Sequence, residues 1–220
     1  MAGGLIQTYS DLTSAVIEYL ARDQDNTLIA RVPWFVQSAE AKLNRTLLVR
    51  QMENRQTALT TYGVTDAEYI AVPSDFQSMR RIRLTSVSGR PQLDYMSATQ
   101  MEDARTEQGD VAAQPEFYTF TGNEIELYPI PDAAYTVELV YRQYLPALAS
   151  NSTNWLLTLA PDIYLYGALL ESAPYLKKDV RLQTWATLYA AAVKDLNALE
   201  ASENFNAGSL RVRPEGFNVF

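Results

Sequence analysis

The side chains that this sequence offers for chemistry are carboxylates, hydroxyl groups, lysine and arginine, because its 220 residues include neither histidine nor cysteine. Histidine is the side chain most used for proton transfer near neutral pH and is the commonest metal ligand. Cysteine supplies thiolate nucleophiles, disulfides and metal ligands. The sequence also contains no phosphate-binding glycine loop, no nucleophile elbow and no zinc motif. We therefore expect no catalytic residues, no cofactor and no metal site, and we predict that the protein is not an enzyme.

Two pairs of acidic residues have spacings that could serve chemistry. Glu124 and Glu126 are two residues apart in a predicted strand, so their side chains share one face. Paired carboxylates can hydrolyse glycosidic bonds, although two solvated acids on an exposed sheet face have the same pattern. Asp23 and Asp25 resemble the start of a calcium loop, but the glycine and the closing glutamate of such a loop do not follow. The glutamate pair leaves one alternative open, a protein that binds or acts on carbohydrate.

Positive charge is concentrated in two short runs. Arg80, Arg81 and Arg83 form the first run, and Arg211 and Arg213 form the second, near the end of the chain. The formal net charge of the sequence is −8, which disfavours a surface that grips nucleic acid throughout. The first run is typical either of a solubilising strand edge or of a charged contact with an acidic neighbour or with DNA.

The overall composition is that of a folded protein. A hydrophobic fraction of 47% and a charged fraction of 20% exclude an intrinsically disordered chain. No apolar run approaches the roughly 18 residues that a membrane span needs. The first residues do not resemble a secretory signal. We therefore expect a protein that is made in the cytoplasm and has no membrane partner.

Helical periodicity begins near the start of the sequence. Ser10 can cap a first helix, and a second helix is expected to begin near Pro33 and to run toward Leu48. In the second helix an apolar stripe should face the core while polar side chains point outward. The stripe comprises Val36, Ala39, Leu43 and Leu47, and the outward residues are Gln37, Glu40, Lys42 and Asn44.

Helical periodicity returns in the last third of the sequence. Residues 162–173 are apolar on several faces, so they should form the most buried helix, and Pro174 should end it. Asp179 can cap a last helix that continues to about Ala201. The predicted apolar stripe of that helix comprises Leu182, Trp185, Leu188, Tyr189, Ala192, Val193, Leu196 and Leu199.

The middle of the sequence has the period of β-strands. From about residue 56 to residue 145, short runs that alternate between apolar and polar side chains are separated by Gly, Pro, Ser and Asp. The clearest pair, residues 117–120 and 124–128, flanks Gly122 in a sequence typical of a hairpin. We expect these strands to form a compact antiparallel sheet.

A short helix and a loop complete the middle region. Ser97 followed by Gln100 predicts a capping box at the start of that helix, whereas residues 106–115 have no periodicity and are predicted to be a loop. The order of helices, strands and helices predicts an α+β fold, in which both helical ends need an apolar partner and form one bundle. The predicted regions are 1–55 and 151–201 for the helical bundle, 56–150 for an inserted antiparallel β domain and 202–220 for an extended C-terminal arm.

Six segments, in order along the chain, carry a resemblance to a known family. They are Tyr69-Ile70-Ala71-Val72-Pro73-Ser74-Asp75-Phe76, Pro115-Glu116-Phe117-Tyr118, the run from Thr121 to Asp132, Thr153-Asn154-Trp155-Leu156-Leu157, the run from Ala160 to Glu171, and the later Arg181 with Trp185. Together they resemble the phage adaptor family, which includes the tail tubular protein A type of short-tailed phages. The resemblance extends over about residues 5 to 200.

This resemblance implies a virion structural protein, the head-to-tail adaptor of a tailed bacteriophage. Such a protein is expected to form a dodecameric ring in the neck or tail, to bind the portal protein and a tail or nozzle protein, and to line a channel through which DNA passes without sequence-specific binding. Two alternatives remain at this point. One is a tail component that binds or acts on carbohydrate, and the other is a tail-completion connector further from the portal.

Two groups of residues are candidates for contacts in such an assembly. The expected contact with a neighbouring subunit or with the channel involves Arg80, Arg81 and Arg83. The C-terminal arm has an apolar tip with too few neighbours in sequence to form a core of its own, so we expect it to bind the portal. The arm residues expected to make that contact are Arg211, Arg213, Phe217, Val219 and Phe220.

Overall fold

The computed structural model describes residues 5–176 and 180–204, with side chains described as far as residue 199. The fold is mixed α+β, as predicted. The chain divides into two compact units, one containing Met1–Arg50 and Pro146–Phe220 and the other Gln51–Leu145. We call them the helical unit and the sheet unit. Within the described ranges, no helix is both long and apolar enough to cross a membrane.

The helical unit is organised around one buried helix, α6. Its helices are α1 (Tyr9–Leu20), α2 (Asn26–Ile29), α3 (Val32–Thr46), α5 (Trp155–Leu159), α6 (Pro161–Leu176) and α7 (Leu182–Asn204). Helix α6, which was predicted to be the most buried helix, contacts α1, α3, α5 and α7. Gly167 lets the helices approach closely, because a Cβ at this position would lie 3.2 Å from Ala39 Cβ and 3.2 Å from Tyr189 Cε2.

The first helix begins earlier than the sequence pattern suggested. Thr8, rather than Ser10, is the N-cap: its Oγ1 accepts the N–H of Asp11 at 3.2 Å, and the Asp11 carboxylate accepts the N–H of Thr8 at 2.9 Å. This reciprocal capping box satisfies two N–H groups at once, whereas Ser10 lies in the first turn of the helix. The predicted cap at Ser10 is therefore wrong.

Both predicted ends of the C-terminal helices need correction. Helix α6 includes Pro174 and ends at Leu176. Proline removes one N–H and crowds the carbonyl four residues earlier, but it keeps a helical φ and can kink a helix rather than end it. Helix α7 continues past Ala201 to Asn204, so residues 202–204 are helical and do not belong to an extended arm. The predicted cap, Asp179, lies outside the described residues.

The apolar stripe of α3 is buried as predicted, but Glu40, which was expected to point outward, is buried with it. Its Oε1 accepts the backbone N–H of Leu148 at 2.8 Å and the hydroxyl of Tyr164 at 3.3 Å. The Tyr164 oxygen in turn accepts an N–H of Asn154 at 2.7 Å. Burial raises the pKa of Glu40, and the bonds from Leu148 and Tyr164 partly oppose this rise.

The predicted stripe of α7 is only partly covered. Trp185, Tyr189 and Leu196 are buried, as expected. Leu188 and Leu199 are exposed, and so is Leu182 in the first turn. The apolar stripe is therefore wider than the surface that α7 buries within the described helical unit.

The sheet unit contains nine strands and one helix among its residues. The strands are β1 (Glu53–Leu59), β2 (Tyr69–Ala71), β3 (Phe76–Leu84), β4 (Asp94–Tyr95), β5 (Ala112–Ala113), β6 (Phe117–Thr121), β7 (Glu124–Tyr128), β8 (Ile130–Pro131) and β9 (Thr136–Gln143), and α4 is Ala98–Gln108. A 3₁₀ turn, Arg50–Met52, precedes β1.

These strands form three sheets, with the orders β1-β9-β3, β2-β7-β6-β4 and β5-β8. Most neighbours are antiparallel, but β4 runs parallel to β6 and β5 runs parallel to β8. The prediction of a purely antiparallel domain is therefore wrong at these two short edges. The predicted loop at residues 106–115 also contains the end of α4 and all of β5.

Two of the sheets pack face to face and enclose the core of the sheet unit. The core side chains are Ile70, Ile82, Leu84, Leu93, Ile125, Leu127, Val137, Leu139 and Tyr141. The β6–β7 hairpin is confirmed, with Gly122 at a φ of +65° in its turn. The capping box of α4 is confirmed as well, because Ser97 Oγ accepts the N–H of Gln100 and the Gln100 side chain accepts the N–H of Ser97.

Candidate functional site

The outer face of the β1-β9-β3 sheet carries most of the positive charge of the sheet unit. Side chains alternate along a strand, so Glu138, Val140 and Arg142 of β9 share the face opposite the core residues Leu139 and Tyr141. Residues paired directly across an antiparallel ladder lie on the same side. The register therefore adds Glu53 and Arg55 from β1 and Arg81 and Arg83 from β3.

A single buried carboxylate organises the centre of this face. Glu138 Oε1 lies 2.7 Å from Arg83 Nε and 3.6 Å from Arg81 Nη2, and its Oε2 lies 3.4 Å from Arg55 Nη1. The Glu138 side chain is 4% exposed, whereas the side chains of Arg55 and Arg81 are 69% and 44% exposed. Contact with Arg83, followed by the charges of Arg55 and Arg81, holds the pKa of Glu138 below its usual value. One carboxylate cannot neutralise three guanidinium groups, so the cluster keeps a positive charge.

Arg80 joins the same face because β3 is irregular at this point. The pairing of β3 with β9 shifts between Met79 and Arg81, and the intervening Arg80 places its Nε 3.2 Å from Glu53 Oε1, across β9. Arg142 of β9 lies directly opposite Glu53 in the ladder. Burial, and next the charge of Arg80, lower its pKa while Glu53 opposes the change. We call the set Arg55, Arg80, Arg81, Arg83 and Arg142, with Glu53 and Glu138, the arginine face.

The sequence located part of this face and missed the rest. Arg80, Arg81 and Arg83 were predicted to be a charged contact surface, and the structure brings all three together on one side of the sheet. Arg55 and Arg142 were missed because each stands alone in its own strand. Only the pairing of β1 and β3 with β9 brings them beside the arginine run.

The arginine face can bind anions but is poorly suited to catalysis. Arginine stays protonated at any physiological pH, so it cannot act as a general base. Its guanidinium group matches the two oxygens of a carboxylate or a phosphate. Residues 51–145 contain seven arginines and fourteen acidic residues. Five of these arginines lie on this face with only two of the acids, so the charge of the sheet unit is strongly separated.

One member of each acidic pair singled out in the sequence makes a different contact in the structure. Glu126 Oε1 lies 2.7 Å from Arg105 Nη2, and its Oε2 accepts the hydroxyl of Thr121 at 2.7 Å, whereas Glu124 is exposed. Asp25 caps α2 by accepting the N–H groups of Thr27 and Leu28. Within residues 5–176 and 180–204, no cluster of three or more acidic side chains could hold a metal ion.

A cleft beside α4 is lined by aromatic side chains and a carboxylate. Phe117, Tyr128 and Glu116 line it, together with Met96 and Gln108. Glu116 is the one acidic residue among the lining side chains. A carbohydrate-cleaving site needs two converging carboxylates, and this cleft does not supply the second.

The other predicted contact surface cannot be placed. Arg211, Arg213, Phe217, Val219 and Phe220 lie outside the described residues. Their expected role at the portal therefore stays a prediction.

One comparison with known proteins gives a match that covers nearly the whole chain. No curated protein matches the sequence. A family model described as SU10 adaptor protein matches residues 7–213, which include most of the helical unit and the whole sheet unit with its arginine face. This match confirms the resemblance seen in the six sequence segments. The chain belongs to the SU10 adaptor protein family, a family of phage head-to-tail adaptors.

Proposed function

We propose that this protein is the head-to-tail adaptor of a tailed bacteriophage, one subunit of a dodecameric ring that connects the portal to the tail. The observation that carries the proposal is the family match over residues 7–213. Membership of the family implies a component of the virion neck or tail that contacts portal and tail proteins. In this arrangement the helices of the helical unit form a bundle, and DNA passes through the ring without sequence-specific binding.

The proposed role is structural, without catalysis. The lack of histidine and cysteine supports it, because the commonest acid–base and nucleophilic groups are missing from the whole sequence. The arginine face supports it as well, since permanently charged guanidinium groups bind carboxylates or phosphates rather than transfer protons. Cleavage of nucleotide or polysaccharide by the purified chain would contradict this part of the proposal if Glu124→Gln or Glu126→Gln abolished it.

The portal contact is proposed to involve the C-terminal arm. Phe217, Val219 and Phe220 form an apolar tip, and Arg211 and Arg213 can add charge-assisted hydrogen bonds to carboxylates or carbonyl groups of the partner. An apolar segment with few neighbours in sequence gains most of its stabilisation by burial against another chain. Aromatic side chains are frequent anchors in such contacts.

The test uses phage heads that contain the portal but lack the adaptor. Full-length protein should bind these heads saturably and restore attachment of tails. Electron microscopy of the occupied heads should show a ring with the twelve-fold symmetry that the family resemblance implies. A variant with Phe217→Ser and Phe220→Ser should bind the heads poorly, whereas the matched control Asn218→Ser should bind like the wild type.

Three results would decide against the proposal. Failure of the wild type to bind portal-bearing heads would overturn the adaptor role itself. Binding only to heads that already carry another adaptor ring would favour the alternative of a tail-completion connector further from the portal. Undiminished binding by the phenylalanine variant would overturn the contact through the arm while leaving the ring in place.

A further inference from the structure

The sheet unit has a second charged surface, which is acidic and lies on α4. Glu102, Asp103, Glu107 and Asp110 are all exposed on this helix or directly after it. Arg105 is the one basic residue of α4, and it points inward, where its guanidinium group forms ion pairs with Glu126, Glu68 and Asp110 at 2.7, 3.8 and 3.9 Å. The outward side of α4 therefore presents carboxylates. We call these four residues the acidic face.

The acidic face and the arginine face lie on opposite sides of the sheet unit. In β7, Ile125 and Leu127 point into the core between the two sheets, so Glu126 and Tyr128 lie on the outer side of the second sheet. Helix α4 covers that outer side: the Tyr128 hydroxyl donates to the carbonyls of Ala104 and Gly109 at 3.3 and 3.2 Å. The layers run from α4 through the second sheet to the β1-β9-β3 sheet, whose far side is the arginine face.

We infer that the arginine face of one copy binds the acidic face of a second copy. The two surfaces are complementary in charge, because the arginine face has three more arginines than glutamates and the acidic face offers four exposed carboxylates. Their positions on opposite sides of one unit make the contact head-to-tail, and contacts of this kind propagate into rings or open filaments. The inference names the contact between neighbouring subunits of the proposed ring. It rests on the proposed function only in taking the chain of contacts to close into a ring.

A second copy fits the arginine face better than DNA does. Tight binding to DNA needs many phosphate contacts from a basic surface. The arginine face has an excess of only three positive charges on a chain whose net charge is −8. Binding to an acidic protein surface of similar size needs fewer positive charges on the arginine face. Every copy of this chain has such an acidic surface.

Charge reversal can test the contact while two of the three arginines paired with the buried Glu138 are kept. Arg55 and Arg80 are the most exposed of the paired arginines on the face, so Arg55→Glu with Arg80→Glu leaves Arg81 and Arg83 beside Glu138. Asp103→Lys with Glu107→Lys reverses two carboxylates that lie one helical turn apart on the exposed side of α4. The combined fourfold variant exchanges the signs at these four positions, leaves the acidic face without net charge and keeps the wild-type net charge of −8. Lys194→Glu, on the exposed side of α7, is the control for a reversal elsewhere.

Sedimentation velocity of the purified full-length chain measures the association. The wild type should associate in about 0.01 M salt, where charges act over about 30 Å, and should dissociate in about 1 M salt, where they act over about 3 Å. Each double reversal should weaken association by at least about a hundredfold, because the first makes both faces negative and the second leaves the acidic face without net charge. The fourfold variant should associate more strongly than Arg55→Glu with Arg80→Glu, whose reversed face meets four carboxylates, and Lys194→Glu should associate like the wild type. Circular dichroism must show that every variant is folded.

The inference fails under any of three outcomes. It fails if the folded wild type stays monomeric in low salt, or if the fourfold variant associates no more strongly than Arg55→Glu with Arg80→Glu. It also fails if Arg55→Glu with Arg80→Glu abolishes binding to a DNA duplex while self-association is unchanged, since the face would then be a nucleic-acid surface. All of these measurements use the free chain, so their outcome is independent of binding to portal-bearing heads, which tests the proposed function.

Discussion

Replacing the buried Glu40 by alanine should destabilise the helical unit strongly. The change removes the acceptor of two buried donors, the N–H of Leu148 and the hydroxyl of Tyr164. A buried donor without an acceptor costs about 1–3 kcal/mol, so the free energy of unfolding should fall by about 2–6 kcal/mol where Glu40 is neutral. The Tyr164 oxygen keeps the N–H of Asn154, so that bond limits the loss.

The size of this loss should depend on pH, in a direction that follows from the raised pKa of Glu40. A carboxyl whose pKa is raised in the folded state contributes its full stabilisation below its pKa in the unfolded chain. That contribution decreases as the pH rises through the folded-state pKa. The difference between the wild type and Glu40→Ala should therefore be largest in acid and smaller at neutral pH.

Glu40→Gln separates the hydrogen bonds from the charge. Glutamine can accept the N–H of Leu148 and does not titrate. In acid its free energy of unfolding should lie within about 1 kcal/mol of the wild-type value. As the pH rises, Glu40→Gln should gain stability relative to the wild type, because only the wild type then buries a charge.

Urea unfolding, followed by circular dichroism, should be measured from about pH 4 to about pH 8, because a glutamate with a raised pKa titrates in this range. Glu18→Ala, at an exposed position of α1, is the matched control and should change stability by less than about 0.5 kcal/mol. An alanine variant at residue 40 that is no less stable than this control would refute the account of the network. So would a difference between the wild type and Glu40→Gln that does not vary with pH.

Three further predictions concern other parts of the fold. Glu138 has a lowered pKa, so the stabilisation by its carboxylate should be present above the ordinary glutamate pKa and be lost as the pH falls through the folded-state pKa. In urea unfolding, the loss of unfolding free energy in Glu138→Gln should therefore shrink in acid. A loss that grows in acid would be inconsistent with the ion pairs. Trp185→Ala should cost about 3–5 kcal/mol in thermal unfolding because the side chain is buried, while the exposed Leu188→Ala should cost far less, and equal melting temperatures for the two variants would show that the packing is wrong. Gly122→Val should lower stability by about 1–2 kcal/mol because the φ of +65° disfavours a branched side chain, and an unchanged melting temperature would contradict that turn geometry.

Local signals predicted the parts of the fold that depend on neighbouring residues. The capping box at Ser97 and Gln100 and the hairpin turn at Gly122 each involve residues close together in sequence, and both are present. The family resemblance rested on the order of many such segments and is confirmed over residues 7–213. Pro174 shows a limit of the same approach, since a residue that disfavours a helix in general lies inside α6.

Features that depend on distant partners could not be predicted from the sequence. Glu40 was assigned to the outside of α3 because it is charged, but its partner Leu148 lies 108 residues away. Arg55 and Arg142 join the arginine face only through the pairing of β1 and β3 with β9. The parallel contact of β4 with β6 is another case, because two-residue strands carry no periodicity that indicates their direction.

The pairing of β1 with β9 has a consequence for how this protein can change over evolution. These are the first and last strands of the sheet unit, and Glu53 lies directly opposite Arg142 in their ladder. The chain therefore begins and ends this unit on adjacent strands, about 5 Å apart. A unit with neighbouring ends can be exchanged as a cassette between relatives or circularly permuted without a long linker. Related phages can thus acquire new surface charges in one recombination step while the helical scaffold keeps its sequence.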